Sequence, residues 1–226
     1  MPVNAGRTCS LLCAGALLLF VMAVLSKSVR AEMWDDSDSG DPWERCGECH
    51  GFNGAGNNIK FPRLAGQKPE YIVKQLHDFR NGLRTNDGGQ MSKTATELKE
   101  EDYPRVAAWF AGQTPPWPKP TLDAPPDSAR ARRLSFVGAP DVGACLSCHS
   151  ATAPGIQDNA VIGPRIAGQH DYYIAKQLRE YRDGVRKSND PQHVMTKIAR
   201  KLSDADIVEL AVFLSQNPAL HDEVVP

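Results

Sequence analysis

The sequence predicts an all-α protein made of two tandem copies of one small helical domain, joined by a proline-rich linker. Three observations carry this. The chain repeats itself: Phe61-Pro62-Arg63-Leu64-Ala65-Gly66-Gln67 returns as Gly163-Pro164-Arg165-Ile166-Ala167-Gly168-Gln169. Tyr71-Ile72-Val73-Lys74-Gln75-Leu76 returns as Tyr173-Ile174-Ala175-Lys176-Gln177-Leu178, and Phe79-Arg80-Asn81-Gly82-Leu83-Arg84 as Tyr181-Arg182-Asp183-Gly184-Val185-Arg186. Each copy spaces its apolar residues for one face of a helix: Ile72, Leu76, Phe79 and Leu83 in the first, Ile174, Leu178, Tyr181 and Val185 in the second. No alternating strand pattern of useful length appears. Only two copies occur, each with its own chemical motif, so the pattern is a duplicated domain and not a solenoid.

In chain order, residues 1–31 read as a signal peptide. Arg7 precedes an apolar run from Leu11 to Leu25, and Val29-Arg30-Ala31 places small groups at −3 and −1 of a cleavage site before Glu32. The run falls short of the ~20 apolar residues of a membrane span; an uncleaved anchor is the alternative. Residues 32–113 form the first domain. Residues 114–126, with Pro115, Pro116, Pro118, Pro120, Pro125 and Pro126, form an extended, stiff linker. Residues 127–226 form the second domain. The first amphipathic helix of each copy is expected to end near Gly82 or Gly184. A second centres on Val106, Ala107 and Phe110, or on Ile207, Leu210, Ala211 and Leu214. Ser203-Asp204-Ala205-Asp206 is a capping start for the latter. The first copy has Lys99 there and Pro104 beyond, which predicts a later or irregular start.

Domains this small lack apolar bulk for a core of their own. The cysteines show what fills it. Of six Cys, Cys9 and Cys13 lie in the leader. The other four sit in Cys46-Gly47-Glu48-Cys49-His50 and Cys145-Leu146-Ser147-Cys148-His149, once per domain. Cys-x-x-Cys-His is the attachment signature of c-type haem: each thiol forms a thioether to a vinyl group, and the His that follows donates Nε2 to the iron. The predicted cofactors are therefore two covalently bound haem c groups. The competing reading is a structural zinc site built from both Cys pairs. Zinc does not require a His after each pair, and export to an oxidising compartment favours haem.

The sixth ligand follows by elimination. Beyond the leader the chain has Met33, Met91 and Met195. Met33 is in the N-terminal tail, whereas Met91 and Met195 occupy equivalent repeat positions between two helices. A thioether suits haem iron and raises its potential; the alternative is an ordinary core Met. His193, His77, His170 and His221 compete poorly and read as loop, helix-surface or tail residues. Pro62 and Pro164 are placed to offer a carbonyl to the Nδ1–H of the ligand His. Arg63, Arg165, Tyr71, Tyr173, Gln75 and Gln177 are candidates for the haem propionates, with surface salt bridges as the alternative for the Arg pair. Trp109 and Phe213 are equivalent and read as haem-edge residues or plain helix–helix contacts.

The formal net charge is −1. Loss of residues 1–31 removes Arg7, Lys27 and Arg30 and no acid, leaving 23 basic residues against 27 acids. Such a balance lacks the clustered positive charge of a nucleic-acid binder. The acidic Asp35-Asp36-Ser37-Asp38 reads as a solvated tail.

The order Cys-x-x-Cys-His, Pro-Arg-Leu-Ala-Gly-Gln, Tyr-Ile-x-Lys-Gln-Leu, then Met, all duplicated over residues 42–217, resembles the dihaem cytochrome c4 family. The resemblance implies two class I cytochrome c domains about a pseudo-twofold axis, each wrapping one haem. It also implies His/Met ligation of both irons and haems that meet through their propionate edges. Departures are small: Ser150 stands where the first copy has Gly51, and the second Met loop is longer. The function implied is a periplasmic dihaem carrier of single electrons, not an enzyme, with no small-molecule substrate and no nucleic acid. Its implied partners are redox proteins: a terminal oxidase, a periplasmic dehydrogenase or a flavoprotein. Peripheral membrane association is compatible with this reading. The alternative is a dihaem electron-transfer subunit of a periplasmic oxidoreductase complex, such as a flavin-dependent sulfide dehydrogenase or an alcohol dehydrogenase. A dihaem peroxidase would need one iron that sheds a ligand, and the equivalent methionines argue against it.

Overall fold

The computed structural model describes residues 40–114, 116–149, 163–187 and 193–217. The leader, Met33, the acidic tail and His221 lie outside them. The described residues are helical apart from one isolated bridge between Ala139 and Val142. In the first copy α1 is Glu44–His50, α2 Pro69–Arg80, α3 Gln90–Glu97 and α4 Tyr103–Ala111. In the second, α5 is Ala129–Phe136, α6 Leu146–His149, α7 Asp171–Arg182, α8 Val194–Ala199 and α9 Asp204–Gln216. Helix α2 packs on α3 and α4; α7 packs on α8 and α9, and α9 also on α5.

Two separate cores result. Ile72, Leu76 and Phe79 of α2 meet Tyr103, Val106 and Phe110 of α4. Ile174 and Ala175 of α7 meet Ile207, Leu210 and Phe213 of α9, with Leu134 of α5. Leu83 and Val185 do not continue the helical face. The helices stop at Arg80 and Arg182, and Leu83 and Val185 beyond them are more than half exposed. Gly82 and Gly184, at φ of 68° and 76°, turn the chain out through the left-handed region, where a Cβ is costly.

Pro104 sits in the first turn of α4, where its missing N–H costs nothing. A 3₁₀ turn over Glu100–Asp102 precedes it, so the late, irregular start is found. Ser203 caps α9 with a full capping box: its Oγ accepts from Asp206 N at 3.1 Å, and the Asp206 carboxylate accepts from Ser203 N at 3.1 Å. Ser203→Ala is expected to lower stability by about 1 kcal/mol, read as a shifted denaturant midpoint with unchanged slope.

The linker is extended but is not a free spacer. The buried Asp171 carboxylate accepts from the N–H groups of Thr121 and Leu122 at 2.6 and 2.7 Å. Burial works against its ionisation, but those donors hold it below the usual carboxylate range. Pro118 offers its carbonyl to Gln216 Nε2 at 3.0 Å, and the Trp117 ring lies where a Cβ on Gly168 would be. Hydrogen bonds to the second copy set the path of this segment.

The two copies clasp each other reciprocally. Gln169 Oε1 accepts from Arg63 N at 2.8 Å and its Nε2 donates to Arg63 O at 3.0 Å. Gln67 does the same to Arg165, at 2.8 and 2.9 Å. A primary amide carries a donor and an acceptor side by side, so it can answer both the N–H and the C=O of one backbone residue.

Candidate haem sites

Helix α1 places Cys46, Cys49 and His50 within little more than one turn, so all three project towards one side. Helix α6 does the same for Cys148 and His149, with Cys145 just before it. His50 is buried and its Nδ1 lies 2.9 Å from Pro62 O; His149 Nδ1 lies 2.9 Å from Pro164 O. A carbonyl only accepts, so Nδ1 carries the proton in both rings and each Nε2 keeps its lone pair for a metal. Burial holds both imidazoles below the ordinary His range, with the Pro carbonyls opposing. Both are therefore neutral, ligand-ready rings at neutral pH.

All four motif cysteines are free of disulfides. Burial pushes Cys46 and Cys145 up to about 11, so both stay thiols at neutral pH. Among the described residues no three His, Cys, Asp or Glu side chains converge as a metal-binding group. This donor arrangement does not suit the zinc alternative, which needs four clustered ligands with thiolate character.

A continuous cavity of about 1050 Å³ touches both motifs, including all four motif cysteines, His50 and His149. Met91 and Met195 line it as well. Each Met is the second residue of a short helix, α3 or α8, that the sequence did not reveal. The Asp87 carboxylate holds the start of α3, accepting from Ser92 N at 2.9 Å. His193 precedes α8 in a left-handed conformation, is exposed, and does not line the cavity.

Arg63, Arg165, Tyr71, Tyr173, Gln75 and Gln177 all line the cavity. Two residues the sequence reading passed over tie them together. Arg84 donates to Gln75 Oε1 at 2.5 Å and across the interface to Tyr173 OH at 2.9 Å. Arg186, buried, donates to Gln177 Oε1 at 2.5 Å and across to Tyr71 OH at 3.1 Å. Asn86 adds bonds to Gln177 and Glu180 at 3.0 and 2.6 Å. Their signal was in the repeat, since Arg84 and Arg186 end matching segments. Arg63 and Arg165 donate to the carbonyls of Ala55 and Gly66 at 3.1 and 2.7 Å, so neither forms only a surface salt bridge.

Two assignments need correction. His170 is not a surface residue: it is buried, and its Nε2–H donates to Gly56 O of the other copy at 2.7 Å. Trp109 and Phe213 do not line the cavity. Trp109 stacks on Trp43 at 4.5 Å and stays partly exposed, whereas Phe213 is fully buried in the α5–α9 core with Arg132 over its ring. The first copy has no helix matching α5 among its described residues.

The residues present fit haem c. A paired-thiol motif ends in a neutral, oriented His on each side of a shared cavity that one Met from each copy also lines. Buried cations stand where carboxylates would otherwise be left unpaired.

Comparison with known proteins agrees. The family model for cytochrome c matches residues 43–114 and 142–218. Cytochrome c4 of Pseudomonas aeruginosa is 37% identical over 174 residues, spanning 75% of this chain and 82% of that protein. The thiosulfate dehydrogenase electron acceptor of Thiomonas intermedia is 34% identical over 179 residues, spanning 76% and 78%. The crystal structure of reduced recombinant cytochrome c4 from Pseudomonas stutzeri superposes with a TM-score of 0.62 at 31% identity, covering 76% of this chain and 93% of that one. Duplicated Cys-x-x-Cys-His helices, duplicated methionines and a reciprocal interface thus coincide with sequence and structural likeness along the same residues, and the chain belongs to the cytochrome c4 family of dihaem electron carriers, which are not enzymes.

Proposed function

We propose that the protein is an exported, periplasmic shuttle of single electrons between respiratory donors and a terminal oxidase or other acceptor. In this reading Cys46 with Cys49 and Cys145 with Cys148 hold the two haems, and His50 with Met91 and His149 with Met195 ligate the irons. Pro62 and Pro164 fix the imidazoles. Arg63 and Arg165, together with Tyr71, Tyr173, Gln75 and Gln177, which Arg84 and Arg186 link, hold the propionates. The observation that carries this is the pair of buried imidazoles with Nδ1 on a Pro carbonyl and Nε2 free, each in a cavity wall shared with a Met.

When bound, haem supplies one-electron cycling between ferric and ferrous iron. The chain's own residues supply the rest. Two protein ligands per iron would leave no coordination position for a substrate. The neutral thioether favours the ferrous state, which sets a carrier on the oxidising side. Domain limits of 32–113 and 127–226 follow this assignment, with the linker docked on the second domain.

A second reading has a specific support. The Thiomonas relative is named for accepting electrons from thiosulfate dehydrogenase. We propose a periplasmic dehydrogenase of this kind as one donor, in a free or stable complex. Co-purification with such a subunit decides between the two forms.

The test of the main reading is direct. Protein purified from the periplasmic fraction is expected to begin near Glu32 and to carry two haems per chain that survive acidified-solvent extraction. One haem per chain, zinc in their place, or a mature chain that retains Leu11–Leu25 would contradict it.

A further inference from the structure

The two copies differ in the charge of the short helix that carries the Met. In the second copy Lys197, Arg200 and Lys201 follow Met195, all three are exposed, and no acid lies between Met195 and Leu202. In the first copy the equivalent positions are Lys93, Thr96 and Glu97. There Lys93 and Glu97 balance each other within the helix at 3.8 Å, and the Glu97 carboxylate also pairs with Arg45 of another helix at 3.1 Å. Among the described residues none of Lys197, Arg200 and Lys201 pairs with an acid.

The placement is as informative as the charge. Val194, Met195 and Ile198 line the cavity. At 3.6 residues per turn, Lys197 and Arg200 then turn away from the cavity-lining side, Arg200 as the residue that closes the helix, and Lys201 follows in the exposed turn. Three exposed cations therefore stand on and just after the helix whose inner side lines the second haem site. They stand on a chain that is acidic once the leader is gone, with 23 basic residues against 27 acids. A local positive patch on a negative molecule orients it in the field of a partner.

We propose that the outer face of α8 docks a redox protein whose own electron-transfer surface is acidic; the inference rests on the electron-carrier reading above. In the encounter one electron leaves the second site for the partner's oxidised centre. No bond forms or breaks and no proton moves. Charge complementarity names the partner's chemistry, and the position over the Met helix names its purpose, because electron exchange needs the partner close to the haem. A protein fits better than an anionic bilayer, because the exposed residues of the described segment 193–202 are His193, Lys197, Arg200 and Lys201, with no Trp, Phe or Leu to enter the lipid interface.

The probe is oxidised plastocyanin, a small acidic copper protein, mixed in stopped flow with the fully reduced holoprotein. The second-order rate is expected to fall steeply as ionic strength rises. K197E/R200E/K201E, with haem content and spectrum intact, is expected to react at least about tenfold more slowly at low salt and to converge with wild type at high salt. Lys201→Glu alone, which installs the residue type of the first copy, is expected to slow it by about threefold, and Lys93→Glu in the first copy by less than about twofold. If both Lys201→Glu and the triple variant match wild type at low salt while hexacyanoferrate(III) still oxidises wild type, the docking proposal fails and the carrier reading stands. If hexacyanoferrate(III) does not oxidise wild type, the carrier reading itself fails. If the triple variant keeps its plastocyanin rate but loses binding to phosphatidylserine–phosphatidylcholine vesicles, the patch is a lipid surface and the proposal is overturned.

Discussion

Met91→His is expected to convert the first haem alone to bis-His ligation and to lower its potential by on the order of 0.2 V, within the ~0.8 V span that axial ligands set. Imidazole donates more strongly than a thioether and favours ferric iron. Met195→His is expected to do the same to the second haem alone. The weak near-infrared sulfur-to-iron band of the oxidised protein reports each change, and a redox titration reports the potentials. The cavity that lines up Met91 and Met195 with the two motifs motivates the choice. An unchanged spectrum and unchanged potentials in either variant would return that Met to the core. Ready binding of carbon monoxide to wild type would show an iron with an open position, and the peroxidase alternative would gain.

Arg186→Met is expected to destabilise the holoprotein by roughly 3–5 kcal/mol, the range seen when one partner of a buried charge pair is removed. Arg186 is buried and fans out to Gln177, Tyr71 and Gln75 at 2.5, 3.1 and 3.2 Å. A methionine fills similar volume but takes the Arg186 donor from Tyr71 OH and from the propionates proposed beside it, while Gln75 and Gln177 keep only Arg84 and Asn86. The guanidinium midpoint of the oxidised protein measures the loss, and the two haem potentials measure whether the domains still sense each other. Arg186→Lys separates charge from geometry: an ammonium keeps the charge but cannot reproduce the planar fork. A loss below about 1 kcal/mol with Met would place Arg186 among dispensable surface cations.

These residues show how unevenly the sequence spoke. The buried faces of α2 and α7 were legible from Ile72, Leu76 and Phe79 and from Ile174, because helical periodicity marks a buried face whatever it packs against. That signal overran at Leu83 and Val185, which keep the spacing but lie beyond the glycines that end the helix. The capping box at Ser203 and the irregular entry at Pro104 were legible because capping is local chemistry. The short helices of Met91 and Met195 were not, since six to eight residues carry too few apolar positions to show a period.

The sequence by itself determined the chemistry: two thiol pairs, each with its His, one equivalent Met per copy, and a Pro placed to orient each ring. The Cys-x-x-Cys-His chemistry depends on residue type at short spacing, which is written in the chain, and the methionines were read from their equivalent repeat positions. Only the tertiary structure decided what lies between the copies. His170 looked like a loop residue and proved to be buried against Gly56; Gln67 and Gln169 looked like mere repeat text and proved to be the clasp; Arg84 and Arg186 proved to be a shared cationic bridge. Their partners lie 89 to 115 residues away in sequence. Contacts over such separations leave no period, spacing or local composition to read, because they exist only once both cores have formed and brought the two surfaces together.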